Sequence, residues 1–177
     1  MQEFKNTIKI DLQRENNKKE MVLFRMGHSH KVQMNMLFLE NNRNLLPFEL
    51  EEWVLLERSF YHDLDKFSTN FVNNYFNLFV LEKQGCKNIN EDFKKAHYEI
   101  NRHHIPYHIK NNTLMTDLDV CEMCSDLDAV TFITKKENNY WFENVILKNQ
   151  HVLTDSQIED IRYILKLLRE NREFIHN

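Results

Sequence analysis

The chain has almost no glycine or proline. Its 177 residues include 2 Gly and 2 Pro, where average usage gives roughly a dozen and about nine. Tight hairpin turns need glycine for positive φ, and the phosphate loops of dinucleotide-binding and P-loop folds are glycine-rich. Sheets joined by tight turns and both nucleotide folds are therefore disfavoured, and a helical protein is expected. Long apolar runs are also lacking, so no membrane-spanning helix is expected. No apolar stretch follows a basic N-terminus, so no signal peptide is expected either. Neither sign of charge dominates: 23 basic against 27 acidic residues leave a net charge of −4, which gives no support to a nucleic-acid partner. The three cysteines, Cys86, Cys121 and Cys124, are an odd count that suits a reducing cytoplasm, that of a bacterium or of a host cell if the chain is viral.

What is present fits one ordinary domain. Hydrophobic residues at 42% and charged residues at 28% exclude both a disordered chain and a membrane protein. Adjacent Asn pairs recur, as expected of an AT-rich coding sequence, and carry no structural signal. Residues 1–20 are polar and read as a mobile arm or a short helix, with the main domain over 21–177. From His28 the pattern turns helical, with Val32, Met36 and Leu39 at spacings of four and three. Pro47 then ends that helix and opens a second, with Glu49, Glu51 and Glu52 in its first turn, leading into His62-Asp63. A third helix is expected over Phe67 to Leu81, with Phe71, Tyr75, Phe76 and Phe79 as a core stripe. A fourth spans Phe93 to Asn101 and stops at His103-His104-Ile105-Pro106, where the residue before proline avoids the α region. Leu118 to Phe132 and Tyr140 to Leu147 follow. Thr154-Asp155-Ser156-Gln157 reads as a capping box, opening a last amphipathic helix through Ile158, Ile161, Ile164, Leu165 and Leu168. The expected fold is all-α, a single-domain bundle of six or seven helices.

Nine His residues are many for this length, and the informative ones lie in or beside helix ends. In order they are His28, His62-Asp63, His97, His103-His104 and Asp126. Polar residues pointing into a bundle must be paired or metal-bound. Imidazole with carboxylate suits Mn, Fe, Co, Ni or Zn better than Ca or Mg. His30, His108, His151 and His176 read as caps or satisfied surface residues. Cys121 and Cys124 have Cys-x-x-Cys spacing, but no second pair accompanies them, so they read as core thiols.

Those positions resemble the HD-domain superfamily of metal-dependent phosphohydrolases. Its signature is a His on one helix, a His-Asp doublet ending the next, and a distant Asp. The matching residues are His28, His62-Asp63 and Asp126. His28-Ser29-His30-Lys31-Val32 is similar to the His-Ser-x-x-Val opening of that superfamily, and His62-Asp63-Leu64-Asp65-Lys66 to its His-Asp-x-x-Lys motif. Within it, residues 22–145 look closest to an uncharacterised HD-like family of bacteria and viruses, a domain of unknown function. The carriers are His62-Asp63-Leu64-Asp65-Lys66-Phe67, then His97-x-x-x-Asn101-x-His103-His104-x-x-Tyr107, then Glu122-Met123-Cys124-Ser125-Asp126. The chain departs from that pattern at Asp65, where the family has Ser. The resemblance implies an HD-like fold, a first metal on His28, His62, Asp63 and Asp126, and a second on His97, His103 and His104.

The spacings make chemical sense beside the resemblance. His62 and Asp63 in mid-helix would point about 100° apart, whereas at a helix end both can turn to one ion. Asp63 has two oxygens and can bridge two ions. His97, Asn101 and His104 share a face if the helix persists. Glu122 lies one turn before Asp126, which leaves one of them free to support the other's metal; in the resemblance Asp126 is the ligand and Glu122 stands behind it. One or two divalent transition metals would activate water, with Asp63 and Lys66 as catalytic groups. Lys66, Arg25, Asn101 and Tyr107 are the candidate substrate contacts. The expected function is a metal-dependent phosphohydrolase acting on a small phosphorylated compound, a nucleotide above all, with no nucleic-acid or membrane partner and room for a homo-oligomer. The alternatives are an HD-type di-iron oxygenase and a non-catalytic helical ligand-binding protein with a metal site.

Overall fold

Residues 2–68, 71–74, 76, 92–134 and 146–176 are described by a computed structural model of the chain. Every regular element among them is helical and none is a strand. The first helix, α1, runs unbroken over Gln2–Asn41, well ahead of the expected start at His28. No Pro or Gly interrupts residues 2–26, and Lys, Glu, Gln and Leu are frequent there, so propensity alone carries the helix back. Its length is about 60 Å at 1.5 Å per residue. Gly27 is exposed, with open space where a Cβ would stand.

Further helices are α2 (Val54–Tyr61), α3 (Asp92–Ile100), α4 (Ile105–Asn111), α5 (Asp117–Thr134), α6 (Asp155–Glu170) and α7 (Arg172–His176). Helix α5 is central and packs on α1, α2 and α6. It buries residues on every side, from Val120, Cys121, Cys124 and Ala129 to Asp119, Glu122, Ser125 and Asp128, as a helix enclosed by others does. Its apolar side meets Val32, Met36 and Leu39 of α1 and Ile161, Ile164, Leu165 and Leu168 of α6 in one core. The acidic residues Asp119, Glu122 and Asp126 recur at i, i+3 and i+7, so they share one stripe of α5. Cys121 and Cys124 are free buried thiols whose pKa values burial pushes up, the core role expected of them; Cys86 lies outside the described residues.

Pro47 does not open a helix. Residues 47–53 form a bend and turn, and α2 starts only at Val54. Glu40 explains the delay. Its carboxylate accepts the N–H of Trp53 at 2.9 Å and of Leu55 at 3.2 Å, so a side chain near the end of α1 supplies the acceptors that α2's first turn lacks. Arg43 holds the same carboxylate at 3.0 Å. A cap donated from another helix leaves no local sequence signal.

The segment after α3 both ends one helix and begins the next, with Pro106 in the first turn of α4, where its missing N–H costs nothing. The extended residue is His104 (φ −103, ψ 132), one position before the expected Ile105. Of the third expected helix, residues 71–74 and 76 are helical, after a 3₁₀ turn over Leu64–Phe67. Phe71 and Phe76 are buried; Tyr75, Phe79 and the rest of that stripe lie outside the described residues, as do residues 140–145 of the expected sixth helix. Leu147–Val152 is a kinked 3₁₀ turn. The Thr154 capping box is formed: Thr154 Oγ1 accepts from the Gln157 N–H at 3.2 Å, and Gln157 Oε1 from the Thr154 N–H at 3.1 Å. His108 is not a surface residue. It is fully buried, with Nε2 donating to the Arg102 carbonyl at 2.7 Å and Nδ1 3.0 Å from Thr113 Oγ1.

Removing the Glu40 carboxylate strands the buried N–H of Leu55 as well as that of Trp53. Glu40→Ala should therefore lower unfolding free energy by about 2–3 kcal/mol, with Glu40→Gln costing less because it keeps one acceptor. Urea denaturation of the two variants beside the parent measures this; equal stability of all three would remove Glu40 as the cap.

Candidate metal centre

The α2 terminus solves the problem posed by the His62-Asp63 doublet. His62 leaves the helix at φ −55, ψ 121, and Asp63 takes the left-handed conformation at φ 56, ψ 24. Asp tolerates that region better than most residues, though at a cost of order 1 kcal/mol. Both side chains become buried, and both join the same cluster. Mid-helix geometry would have separated them.

Two sets of donor atoms result, each within 4.8 Å of one another. The first joins His28 from α1, His62, Asp63 and Asp126 from α5. His28 Nε2 lies 2.9 Å from Asp126 Oδ1 and 3.8 Å from Asp63 Oδ2, and His62 Nε2 lies 3.3 Å from Asp63 Oδ2 and 3.8 Å from Asp126 Oδ1. The second joins Asp63, His97 from α3, His103 and His104. Asp63 Oδ1 lies 3.2 Å from His97 Nε2 and 3.6 Å from His103 Nε2, and His97 Nε2 lies 2.9 Å from His104 Nε2. Asp63 thus presents Oδ2 to one set and Oδ1 to the other. Donors bound at about 2.1 Å to one ion stand about 3.0–3.4 Å apart in octahedral or tetrahedral arrangements, so these spacings suit an ion in each set. His104 reaches His97 through a turn rather than along a continuing helix, which ends at Ile100.

The imidazoles are aimed from behind. Glu122 Oε1 takes Nδ1–H of His62 at 3.0 Å and of His103 at 3.1 Å. Asp65 Oδ2 takes Nδ1–H of His97 at 2.8 Å. Each outer carboxylate fixes the tautomer and turns Nε2 inward, as outer partners of metal-binding histidines do. His62 Nε2, His103 Nε2 and Asp63 Oδ1 are buried and make no hydrogen bond. Buried unpartnered polar atoms are costly, and three of them facing one interior fit metal binding. A third convergence, His62 and His103 on Glu122, is this hydrogen-bonded arrangement. The Arg58 guanidinium, 2.5 Å from Glu122 Oε2, makes it unsuited to a cation.

Electrostatics prepare the donors. Burial favours a neutral Asp63, but His62, Lys66 and His97 hold it well below the usual carboxylate range. Burial likewise opposes ionisation of Asp126, and His28 and His62 outweigh it. Burial pulls His62 down, yet Asp63, Glu122 and Asp126 raise it to about 10. Burial, with His103 beside it, keeps His104 well below the ordinary imidazole value and hence neutral.

The remaining candidates are placed as follows. Lys66 Nζ contacts Asp63 Oδ2 and is almost buried. Arg25 sits one turn before His28 on α1, half-buried, 5.8 Å from the Phe24 ring. The Asn101 amide is turned to Asp65 Oδ1 at 3.2 Å and to the His97 carbonyl at 2.9 Å, so it braces the ligand helix. The Tyr107 ring lies 5.6 Å from the Arg102 guanidinium. Arg58, Asp65 and Asp119 were not anticipated as supporting groups. Asp119 accepts from Arg58 at 2.8 Å and from Arg102 at 3.0 Å and 3.1 Å, and it closes a capping box with Thr116. That Thr116-x-x-Asp119 box is a signal the sequence does carry.

A family model matches residues 19–167, a span that includes every donor in both sets. The chain belongs to the DUF5662 family. This is a family of unknown function, so membership in DUF5662 brings no activity with it. No curated protein and no solved structure matches the chain.

Because Asp63 serves both sets, Asp63→Ala should abolish binding of all metal, measured as metal per chain after purification without chelator. Metal must also displace the proton that His62 carries below its raised pKa. Apparent metal affinity should therefore climb between pH 6 and 9, by about tenfold per unit for each proton released. Calorimetry in buffers of different ionisation enthalpy measures that release; affinity independent of pH would contradict the assignment of His62 as a ligand.

Proposed function

We propose that this protein is a metal-dependent phosphohydrolase of HD type, acting on a small phosphorylated compound, a nucleotide foremost. The observation that carries the reading is the shared carboxylate: Asp63 offers one oxygen to each donor set, with the Lys66 ammonium against it. The order His28, His62-Asp63, Asp126 supports it through its resemblance to the HD superfamily. So does the charge balance. Among the described residues, Asp63, Asp65, Glu122 and Asp126 are paired with Lys66 and Arg58 as fixed cations, an acidic surplus that would repel phosphate until divalent ions add positive charge.

Bound ions would supply a water of near-neutral pKa and neutralise charge on the phosphate. The chain's own residues do the rest. His28, His62 and Asp126, with His97, His103 and His104, fix the donors; Glu122 and Asp65 hold the imidazole Nδ1 protons outward. Lys66, one turn beyond Asp63, is placed to accompany the negative charge that shifts to the leaving oxygen as its bond to phosphorus breaks and the water oxygen bonds in its place. The leaving oxygen takes a proton and inorganic phosphate or a phosphomonoester departs. Arg25, one turn before His28 on α1, is the second candidate anion contact.

A di-iron oxygenase is the alternative reading, since imidazole and carboxylate donors suit iron as well. A panel of nucleotides and phosphoesters with Mn, Co, Ni, Fe or Mg, read as phosphate release, separates the two from a parallel measurement of oxygen consumption with Fe. Phosphate release that disappears in Asp63→Ala and falls about 100-fold in kcat in Lys66→Met is the expected result. Oxygen uptake coupled to substrate, with no phosphate release, would replace the hydrolase reading; retained metal with neither activity would favour a ligand-binding protein.

A further inference from the structure

Resting on the reading of two ion sites, we propose that Glu122 is a positioning residue common to both, locked by Arg58, so that the two ions load as a unit. Glu122 ligates neither ion. Its Oε1 accepts Nδ1–H from His62, which belongs to the first donor set, and from His103, which belongs to the second. The two rings stand 4.6 Å apart between centroids, and both present an unpartnered Nε2 inward. One oxygen atom therefore sets the rotation of an imidazole in each site.

Glu122 has no freedom to favour one ring over the other. Its Oε2 is taken by Arg58 Nε at 2.5 Å, and the same guanidinium is anchored by Asp119 Oδ1 at 2.8 Å. Asp119 is itself fixed by Arg102 and by the Thr116 N–H and hydroxyl. The chain of contacts runs from α2 through α5 to the α3–α4 connection, so the elements that carry the two donor sets share one strut. Asp65 provides the contrast. Among the described residues it accepts from His97 and Asn101 and hydrogen-bonds no imidazole of the first set.

The test titrates metal-free parent, Glu122→Gln, Arg58→Met and Asp65→Asn with Mn(II), reading bound Mn per chain and the electron paramagnetic resonance of spin-coupled Mn pairs. Far-UV circular dichroism checks that each variant is helical. The parent should bind two ions and give the coupled spectrum. Glu122→Gln places an amide NH₂ against Arg58 or an imidazole N–H, and should weaken both ions by about 10–100-fold together. Arg58→Met keeps the carboxylate but frees it, and should weaken both by roughly tenfold. Asp65→Asn should weaken one ion and leave an uncoupled Mn signal. Glu122→Gln losing only one ion, or neither, overturns the proposal, as does Asp65→Asn weakening both equally. If Glu122→Gln does not fold, Arg58→Met decides on the same criterion. A parent that binds no ion takes down the two-site reading itself, which is a different failure from a parent that binds two and variants that bind two as well.

Discussion

Ionised carboxylates and imidazoles cannot be taken out of water unless every one of them is paired, and this interior holds His28, His62, Asp63, His97, His103 and Glu122 almost wholly buried. Their desolvation is the constraint from which the rest follows. It is met in two layers. The inner layer is the donor atoms themselves, drawn together around Asp63. The outer layer is Glu122 and Asp65, which accept the outward N–H groups, and Arg58, which neutralises Glu122. An arrangement this dense in charge is stable only when complete, because removing one member of a buried pair leaves the other uncompensated.

Helix α5 links that constraint to the fold. Its Cys121, Cys124 and Ala129 face belongs to the hydrophobic core with α1 and α6, and its Asp119, Glu122 and Asp126 face belongs to the polar interior. A shift of α5 against α1 that relaxed the core would also change the 2.9 Å approach of Asp126 to His28. The far side of α5 is tied down as well: Asp128 receives Asn35 from α1 at 3.2 Å and pairs with Arg172 of α7. Packing and polar pairing therefore hold α5 in register from opposite sides, and the close-packed core gives the donor distances their rigidity.

Most of the helical frame was legible because it rests on local rules. The near absence of Gly and Pro, the stripe through Val32, Met36 and Leu39, and the Thr154 capping box need only neighbouring residues. One misread element depends on a contact made across the fold. Glu40 delays α2 from thirteen residues away in sequence, whereas the early start of α1 and the short helix Ile105–Asn111, where none was expected, follow local propensity and the first-turn proline. The positions of His28, His62, Asp63, His97, His103, His104 and Asp126 in the chain mark them for attention, but their meeting depends on a left-handed Asp63 and a turn at residues 101–104, neither of which periodicity encodes. Arg58 and Asp119 were passed over because charged residues on an amphipathic helix normally face water. Asp119 at 1% exposure is the exception that Arg58 and Arg102 make affordable.

Asp65 fits the same logic. Its carboxylate accepts Nδ1–H of His97 and the Asn101 amide. A serine hydroxyl is shorter and neutral, so it would support that imidazole less strongly and add no charge. Asp65 adds a negative charge beside a set whose carboxylate donor, among the described residues, is the shared Asp63, and its own pKa is held down by His97 and Asn101 against the effect of burial. The second donor set, poorer in carboxylate than the first, thereby gains a negative partner hydrogen-bonded to the outer nitrogen of one of its donor rings. A carboxylate hydrogen-bonded behind His97 fixes its tautomer and ring orientation toward a bound ion, and this is support that an Asp126-like oxygen does not provide in the second set.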